Sequence, residues 1–423
     1  MAVVLCSLFL VTLAGIGIAA AQEDETLDIY GNANEDDIID MRDLTFTARM
    51  ILRLEDETEL ADANYDGRVS VADMTQIGLI ILGRESKLTL VDSADRIVTV
   101  NKPVEKIVTT HPAGTEFVKV LEAEDRVVGV ELWTGKDEIL YPELSKLPVV
   151  AFGGYDVDYE KIFELDPNIV LTEVLPMPGF DEMVDTLEPE ITVVAMSMAD
   201  PKAMMGTLKT LRYVLNTEED AEEFINWYEG VMSPITEKVA GIPDEDKPEV
   251  FYEWKQCYWT FSDDLMTMWP AQIQMAGGVN IAGDFPGAFF QVDKEWVADK
   301  DPDVIIGIAH DFSVYESPAI GCGYDADDPT EIQAFREDIL RRPELEGCKA
   351  VTNGRVYVYY WGLACTNRFF VGVAYMAKWL HPELFEDLDP QEIHQEYLTR
   401  FMRIDYDLEE HGVFAFPEEP VES

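Results

Sequence analysis

Val157-Asp158-Tyr159-Glu160-Lys161-Ile162-Phe163-Glu164-Leu165-Asp166-Pro167-Asn168-Ile169-Val170-Leu171 aligns without a gap on Val292-Asp293-Lys294-Glu295-Trp296-Val297-Ala298-Asp299-Lys300-Asp301-Pro302-Asp303-Val304-Ile305-Ile306. Each copy reads as a short helix, an Asp-Pro turn and then a buried apolar strand. A helix feeding a strand through a tight turn is a fragment of a wound α/β domain. Its presence twice predicts two similar lobes, and a cleft between lobes is where small ligands sit.

The chain has 423 residues, too many for one ordinary core. It carries 83 acids against 31 Lys and Arg, a formal net charge of -52. Such a surface repels phosphate backbones, which argues against nucleic acid as a partner. The acids are interleaved with 47% hydrophobic residues, so the pattern fits a solvated folded surface rather than a disordered acidic tail. Adaptation to salt or to an acidic exterior is the simple reading; repulsion of anionic ligands is the alternative.

Residues 1–21 form an apolar run ending in Ala19-Ala20-Ala21, followed by the polar break Gln22-Glu23-Asp24-Glu25. This reads as an export signal. No Lys or Arg precedes the run, so its true start is expected upstream, and a stretch of roughly 20 apolar residues also suffices as an uncleaved anchor. Cys6 lies too early to be a lipid attachment site. The protein is expected outside the cytoplasm, released or held by its N-terminus. Of the other cysteines, Cys257, Cys322, Cys348 and Cys365, the spacing allows a Cys322–Cys348 bridge or free buried thiols, and does not suggest a metal site.

Two twelve-residue stretches, 32–43 and 62–73, repeat the pattern of a calcium loop, which supplies oxygens at positions 1, 3, 5, 7 (backbone), 9 and 12. In the second they are Asp62, Asn64, Asp66, the Arg68 carbonyl, Ser70 and Asp73, with Gly67 at the sharp turn. In the first they are Asn32, Asn34, Asp36, the Ile38 carbonyl, Asp40 and Asp43. There Asp37 replaces the turn glycine and Asn32 lowers the ligand charge, so the first site is expected to bind Ca2+ more weakly. Leu44–Leu52 and Met74–Leu82 read as the helices that follow. The tandem pair, with Asp rather than Glu at position twelve, resembles a type I dockerin over residues 27–85. The resemblance implies an all-α, paired EF-hand-like module that folds on calcium and docks into a cohesin domain, with Met41-Arg42 and Val71-Ala72 at the contact positions. These are not the small hydroxyl pairs common there. A calcium-stapled spacer without a cohesin partner is the alternative.

Beyond Leu88 the pattern alternates strand and helix. Segments 88–91 and 96–100 predict a hairpin, Lys106–Thr109 a strand and Phe117–Leu121 a helix. Pro201–Ala240 reads as mostly helical with no strong turn before Ser233-Pro234. Residues 88–200 are expected to form the N-terminal lobe, 201–241 a helical bridge, 242–411 the C-terminal lobe and 412–423 an acidic tail, frayed from Phe416. The ordered phrases Lys106-Ile107-Val108, Pro112, Thr115-Glu116, Asp125–Val130, Tyr141-Pro142, Glu160-Lys161-Ile162, Ala276-Gly277-Gly278-Val279-Asn280-Ile281 and Glu295-Trp296-Val297 resemble the class III substrate-binding proteins of ABC importers, which serve iron-siderophore, haem and vitamin B12 uptake. The likeness runs over about residues 88–405 and implies two Rossmann-like α/β lobes joined by a long helix.

It further implies that Glu160 and Glu295, at identical places in the two copies, dock on arginines of a permease dimer. Paired carboxylates suit a symmetric partner; helix-N-terminal acids favoured by the dipole are the bland alternative. Ligand contacts are expected on loops leaving the strand C-termini. These carry His111, Trp133, Phe152, Tyr155 and Glu173 in the first lobe, and Trp254, Tyr258, Trp259, Phe289, Phe290, His310, Tyr360, Trp361 and Arg368 in the second. Flat rings suit a macrocycle or chelate. His111 and His310 are candidate imidazole ligands to iron or cobalt, and Arg368 a candidate partner for a ligand carboxylate. No Gly-x-Ser-x-Gly, Walker loop, His-Glu-x-x-His or haem-attachment motif occurs, so the chain reads as a binder, not an enzyme. A cohesin-docked surface scaffold, with ligand capture secondary, is the competing reading.

Overall fold

In a computed structural model, which describes residues 26–152, 156–174, 179–198, 200–254, 258–263, 268–313 and 318–421, an N-terminal helical module leads into two parallel-sheet lobes. The module holds α1 (Met41–Ile51) and α2 (Val71–Ile81). Both begin with a capping box, Asp40/Asp43 and Ser70/Asp73, in which two otherwise unbonded amides are satisfied reciprocally. The strands β1 (Lys87–Val91) and β2 (Ile97–Asn101) form the expected hairpin.

The module is built onto the body. Its Ile29 bridges Leu90 of the hairpin, and Tyr30 donates its amide to the Thr89 carbonyl at 2.9 Å. Glu85 and Lys102, both nearly inaccessible, form an ion pair at 3.4 Å. Lys102 also donates to the carbonyls of Tyr213 and Val214. The apolar core runs without a break from Ile77 and Ile80 of the module into both lobes.

The N-terminal lobe comprises β3 (Ile107–Thr109), α3 (Pro112–Val120), β4 (Val127–Glu131), β5 (Val149–Ala151), α4 (Tyr159–Leu165), β6 (Ile169–Glu173), α5 (Phe180–Leu187) and β7 (Thr192–Met196). Its parallel sheet has the order β5-β4-β3-β6-β7. Next come α6 (Met204–Leu215) and α7 (Glu218–Ala240). The bridge read as one helical stretch is therefore broken, at Asn216, whose left-handed backbone (φ +55°) ends α6. Asn tolerates that conformation. Pro234 does not stop α7. It sits on the exposed side, while Phe224, Tyr228, Met232, Ile235 and Val239 bury the other face and hold the helix through the lost amide.

The C-terminal lobe contains β8 (Glu249–Glu253), β9 (Trp259–Phe261), α8 (Met268–Met275), β10 (Val279–Asn280), β11 (Phe289–Gln291), α9 (Lys294–Lys300), β12 (Val304–Ala309), α10 (Thr330–Leu340), α11 (Lys349–Thr352), β13 (Val356–Tyr360), α12 (Phe369–Leu380), α13 (Pro390–Arg400) and β14 (Ala415–Phe416). Its main sheet runs β10-β8-β12-β13-β14, parallel except for β14, and β9 pairs with β11 in a separate antiparallel ribbon. Strands β6, β12 and β13 are buried throughout, as a sheet covered on both faces requires.

The repeated stretch is α4–β6 in one lobe and α9–β12 in the other. Asp166 and Asp301 both end their helices in the left-handed region at φ +49°. The residue after each proline ties the turn to the neighbouring strand. Asn168 accepts from the Glu105 and Lys106 amides, and Asp303 from the Glu249 amide. The sequence repeat thus encodes one structural joint.

One terminal expectation changes, and the open question of the cysteines resolves. The tail read as frayed is ordered through residue 421: β14 pairs with β13, the Trp379 indole donates to the Glu418 carbonyl at 3.1 Å, and Lys378 meets Glu419 at 2.8 Å. A buried indole N–H and a half-free sheet edge both need partners, and the tail supplies them. Cys322 and Cys348 are free buried thiols rather than a bridge, and Cys365 is free as well; Cys257 lies outside the described residues.

Candidate functional site

The lobes meet along a seam with a polar floor and an aromatic wall. On the floor, Glu116 of α3 is fully buried and accepts from the Tyr397 hydroxyl at 2.6 Å. Arg368, at the start of α12, reaches the same carboxylate oxygen at 3.2 Å and donates to Tyr324 at 2.8 Å. Asn367 donates to the Ala113 carbonyl at 2.8 Å, and Arg403 pairs with Glu124 at 2.9 Å. These bonds join the lobes directly, beside the spine formed by α7.

Above the floor lies a continuous set of rings. Trp133 and Phe152 come from loops at the C-terminal ends of β4 and β5, their centroids 6.0 Å apart. Across the seam Trp133 meets Phe312 at 5.1 Å and Trp361 at 6.2 Å. Trp361 lies nearly parallel to His310 (11°, 6.3 Å), and His310 meets Trp254 edge-on at 5.1 Å. Trp254 packs on Phe289 at 4.5 Å, and the β9–β11 ribbon extends the wall through Trp259 and Phe261 to Trp269. Parallel strands place all their C-terminal loops on one side, which is why residues far apart in sequence converge here.

Electrostatically the seam is acidic. Burial raises the carboxyls of Glu131, Asp137 and Asp311 above their ordinary values. The Lys136 ammonium lies 5.6 Å from the Trp133 ring. Glu131 accepts from the amides of Trp133 and Thr134 and so shapes the loop that carries the first-lobe tryptophan.

Of the residues expected from sequence, Trp133, Phe152, Trp254, Trp259, Phe289, His310 and Trp361 come together in this wall. Phe290 stacks instead on Phe285, Glu173 accepts the Met198 amide and the Tyr360 hydroxyl donates to Asp311; Arg368, Tyr258 and His111 also do not point there. Arg368 is buried against Glu116, because a guanidinium drawn from water needs a carboxylate partner, and it also bonds Thr366 and Tyr324. The Tyr258 ring packs under Arg342, and its hydroxyl donates to Glu344 at 2.9 Å. His111 caps α3, its Nδ1 accepting from the Ala113 amide, and burial lowers its pKa to about 4. With Nδ1 accepting, the neutral ring carries its proton on Nε2. Tyr155 lies outside the described residues. Phe312, Phe261 and Trp269 were missed; Phe312 had a signal, two positions beyond His310 in the same post-strand loop.

Glu160 and Glu295 stand exposed in the first turns of α4 and α9, at equivalent places.

The calcium-type loops are alike in backbone. Asp43 and Asp73, both fully buried, accept amides from within their own loops: Asn34 and Asp40 in one, Asn64 and Ser70 in the other. Glu35 and Tyr65 share a left-handed φ at position four. The turn at Gly67 (φ +90°) has no counterpart at Asp37, whose carboxylate leaves the loop to meet Lys209 of α6 at 2.6 Å. Asp36 and Asp40 are bridged by Arg42, and Arg68 pairs with Asp66 at 3.5 Å. Among the described residues no three His, Cys, Asp or Glu side chains converge closely enough to hold a metal ion. The donor set nevertheless fits calcium: carboxylate, amide, hydroxyl and carbonyl oxygens only. Asn32 is fully buried at position one, and its Oδ1 has no hydrogen-bond partner while Nδ2 donates to Leu27 and Asp36 carbonyls.

Residues 107–360 match the family described as periplasmic binding protein, and the chain belongs to it. Members are transport components that work outside the cytoplasm, not enzymes. Two parallel-sheet lobes match the two-lobe, TroA-like build of such proteins. A cobalamin-binding protein of Halobacterium salinarum is 25% identical over 227 residues, which are 52% of this chain and 58% of that one. In fold the chain is similar to the TroA-like periplasmic binding protein FepB of Veillonella parvula, with a TM-score of 0.63 at 22% identity, over 78% of this chain and 99% of that one. It is also similar to the periplasmic vitamin B12 binding protein BtuF of Vibrio cholerae, with a TM-score of 0.51 at 19% identity, over 66% and 97%. Among the described residues no helix is long and apolar enough to cross a membrane.

Proposed function

We propose that the chain captures a metal chelate of the corrinoid class between its lobes and delivers it to an ABC permease dimer. The observation that carries this is the aromatic wall that crosses the seam from Phe152 to Phe289. Rigid rings bury the faces of a large flat ligand at little cost in conformational freedom. The neighbouring acids and the internal neutralisation of Arg368 disfavour strongly anionic siderophores and favour a neutral or cationic cargo. The likeness to a cobalamin-binding relative points the same way. His310, inside the wall, is the remaining imidazole candidate for a cobalt or iron centre. Titrating the purified protein with cyanocobalamin, haem and ferric siderophores, followed by absorption, tests the reading; saturable binding of the corrinoid is expected, and no saturable binding to any of the three refutes it.

Delivery is assigned to Glu160 and Glu295, which offer two exposed carboxylates to permease arginines. The two N-terminal loops are assigned Ca2+, supported by their all-oxygen donor sets and by the unpartnered Asn32 Oδ1. Bound calcium would add charge neutralisation and loop rigidity.

A second reading, a cohesin-docked surface component in which ligand capture is secondary, is favoured by the module's outer face. Met41 and Val71, at matching positions, are 64% and 66% exposed, and Leu52 and Leu82 repeat the pattern at the helix ends. Repeated exposed apolar side chains are features of an interaction surface. A pull-down with cohesin domains, with and without chelator, separates this from transport alone. In either case the protein is placed outside the cytoplasm, released or held by its N-terminal segment; residues 1–25 lie outside the described residues.

A further inference from the structure

The wall contains one ring whose orientation is set by a charged group. Trp361 follows the last residue of β13, and Asp311 lies two residues beyond the end of β12. These strands are parallel neighbours, with Ala309 opposite Tyr360, so the two loops leave the sheet side by side. The Trp361 indole donates to Asp311 Oδ1 at 2.6 Å, and the Tyr360 hydroxyl donates to Oδ2 at 3.2 Å. Both carboxylate oxygens therefore bond to donors from a single dipeptide.

Tyr360 is itself fixed. A Cβ at Gly362 would overlap its ring on one side, and a Cβ at Gly323, where φ is +85°, would come within 2.8 Å of Tyr360 Cε2. Two glycines therefore make room for the tyrosine, the tyrosine anchors the aspartate, and the aspartate holds the indole. The held indole is, with Phe312, one of two rings that meet Trp133 across the seam: it lies nearly parallel to His310, edge-on to Phe312 at 5.0 Å and at 6.2 Å from Trp133.

We infer that Asp311 is a positioning residue of the ligand site, setting the plane of Trp361 so that it forms a ready-made face for the cargo. This rests on the ligand reading proposed above. A carboxylate that accepts from an indole N–H fixes both the tilt of the ring and its rotation about χ2, which packing alone leaves to neighbouring rings. Its functional value is preorganisation: a face already in place costs the ligand less to bind.

The test uses the full chain, cyanocobalamin as probe, and two readouts. Asp311→Ala is expected to weaken binding about fivefold to tenfold, as loss of one charge-assisted contact predicts. Asp311→Asn keeps an acceptor oxygen and is expected to stay within about twofold of the parent. In a Trp361→Phe background, which keeps a ring but no N–H, the Asp311→Ala effect is expected to disappear. Equal losses in both backgrounds overturn the inference, as does an unchanged affinity in Asp311→Ala. The second readout needs no ligand: the Trp361 indole N–H resonance, assigned by its absence in Trp361→Phe, is expected to move upfield and exchange faster in Asp311→Ala. If cyanocobalamin fails to bind the parent while this resonance moves, the ligand reading falls and the indole clamp stands. If the resonance does not move, the clamp is wrong whatever binds.

Discussion

Replacing Arg368 by Met distinguishes a structural guanidinium from a ligand-binding one. Glu116 is fully buried, and Arg368 provides one of its two side-chain partners, the other being the Tyr397 hydroxyl. The second Glu116 oxygen has no hydrogen-bond partner. Removing the guanidinium leaves a carboxylate in a low-dielectric seam with one hydroxyl bond, and breaking a buried pair in this way costs about 3–5 kcal/mol. The loss also frees Tyr324, which Arg368 holds by a 2.8 Å bond and by a cation–ring contact of 5.4 Å. Adding Glu116→Gln removes the stranded charge, so the double variant is expected to be more stable than Arg368→Met alone. The assay is guanidinium-chloride unfolding followed by tryptophan fluorescence, with cyanocobalamin affinity measured alongside. A cost below about 1 kcal/mol, the range of exposed pairs, together with lost affinity would refute the argument and return Arg368 to the ligand.

Other outcomes are open to direct measurement. Asp62→Ala with Asp66→Ala is expected to remove most of the calcium-induced rise in unfolding temperature of the full chain, read by calorimetry with and without EGTA; an undiminished rise would place the ion elsewhere. Reversing Glu160 and Glu295 to Lys is expected to leave chelate affinity within about twofold while abolishing uptake, since exposed rim charges act on encounter with a partner more than on a remote site. His394 is fully buried and bonded to Tyr324 Oη at 2.8 Å, and burial holds its pKa down at about 3. The unfolded chain takes up that proton near 6.5 while the fold does not, so this residue's contribution to stability is present above about pH 6.5 and declines as pH falls from there towards 3. His394→Gln is expected to flatten the upper part of the acid limb of a stability–pH curve; an unchanged slope would show that carboxylates alone set it.

Much of the body could be read from local pattern. The Asp-Pro joint is legible because its backbone chemistry is local: an aspartate that tolerates a left-handed backbone and a proline that cannot continue a helix; the amides that Asn168 and Asp303 accept come from a neighbouring strand far back in the chain. The hairpin at β1–β2 and the repeated loop–helix backbone of the N-terminal module were legible for the same reason, since their hydrogen bonds close within a dozen residues or so. The rings of the wall were found as a class, because parallel strands send their loops to one side.

What a side chain does after leaving its loop was not legible. Arg368 and Trp361 stand seven positions apart on neighbouring turns, yet one turns inward to a carboxylate from α3, more than two hundred residues away, and the other outward to the seam. His111 resembles a ligand in sequence and serves as a helix cap. The amino-acid order alone determined that there are two lobes and that the same helix–turn–strand joint recurs in each, because those depend on backbone conformation and short-range patterning. Tertiary packing decided which charges pair, that the tail closes a sheet, that the helical module is welded to α6, and which rings face the cleft. Each of these depends on desolvation and on partners that only the folded chain brings within reach.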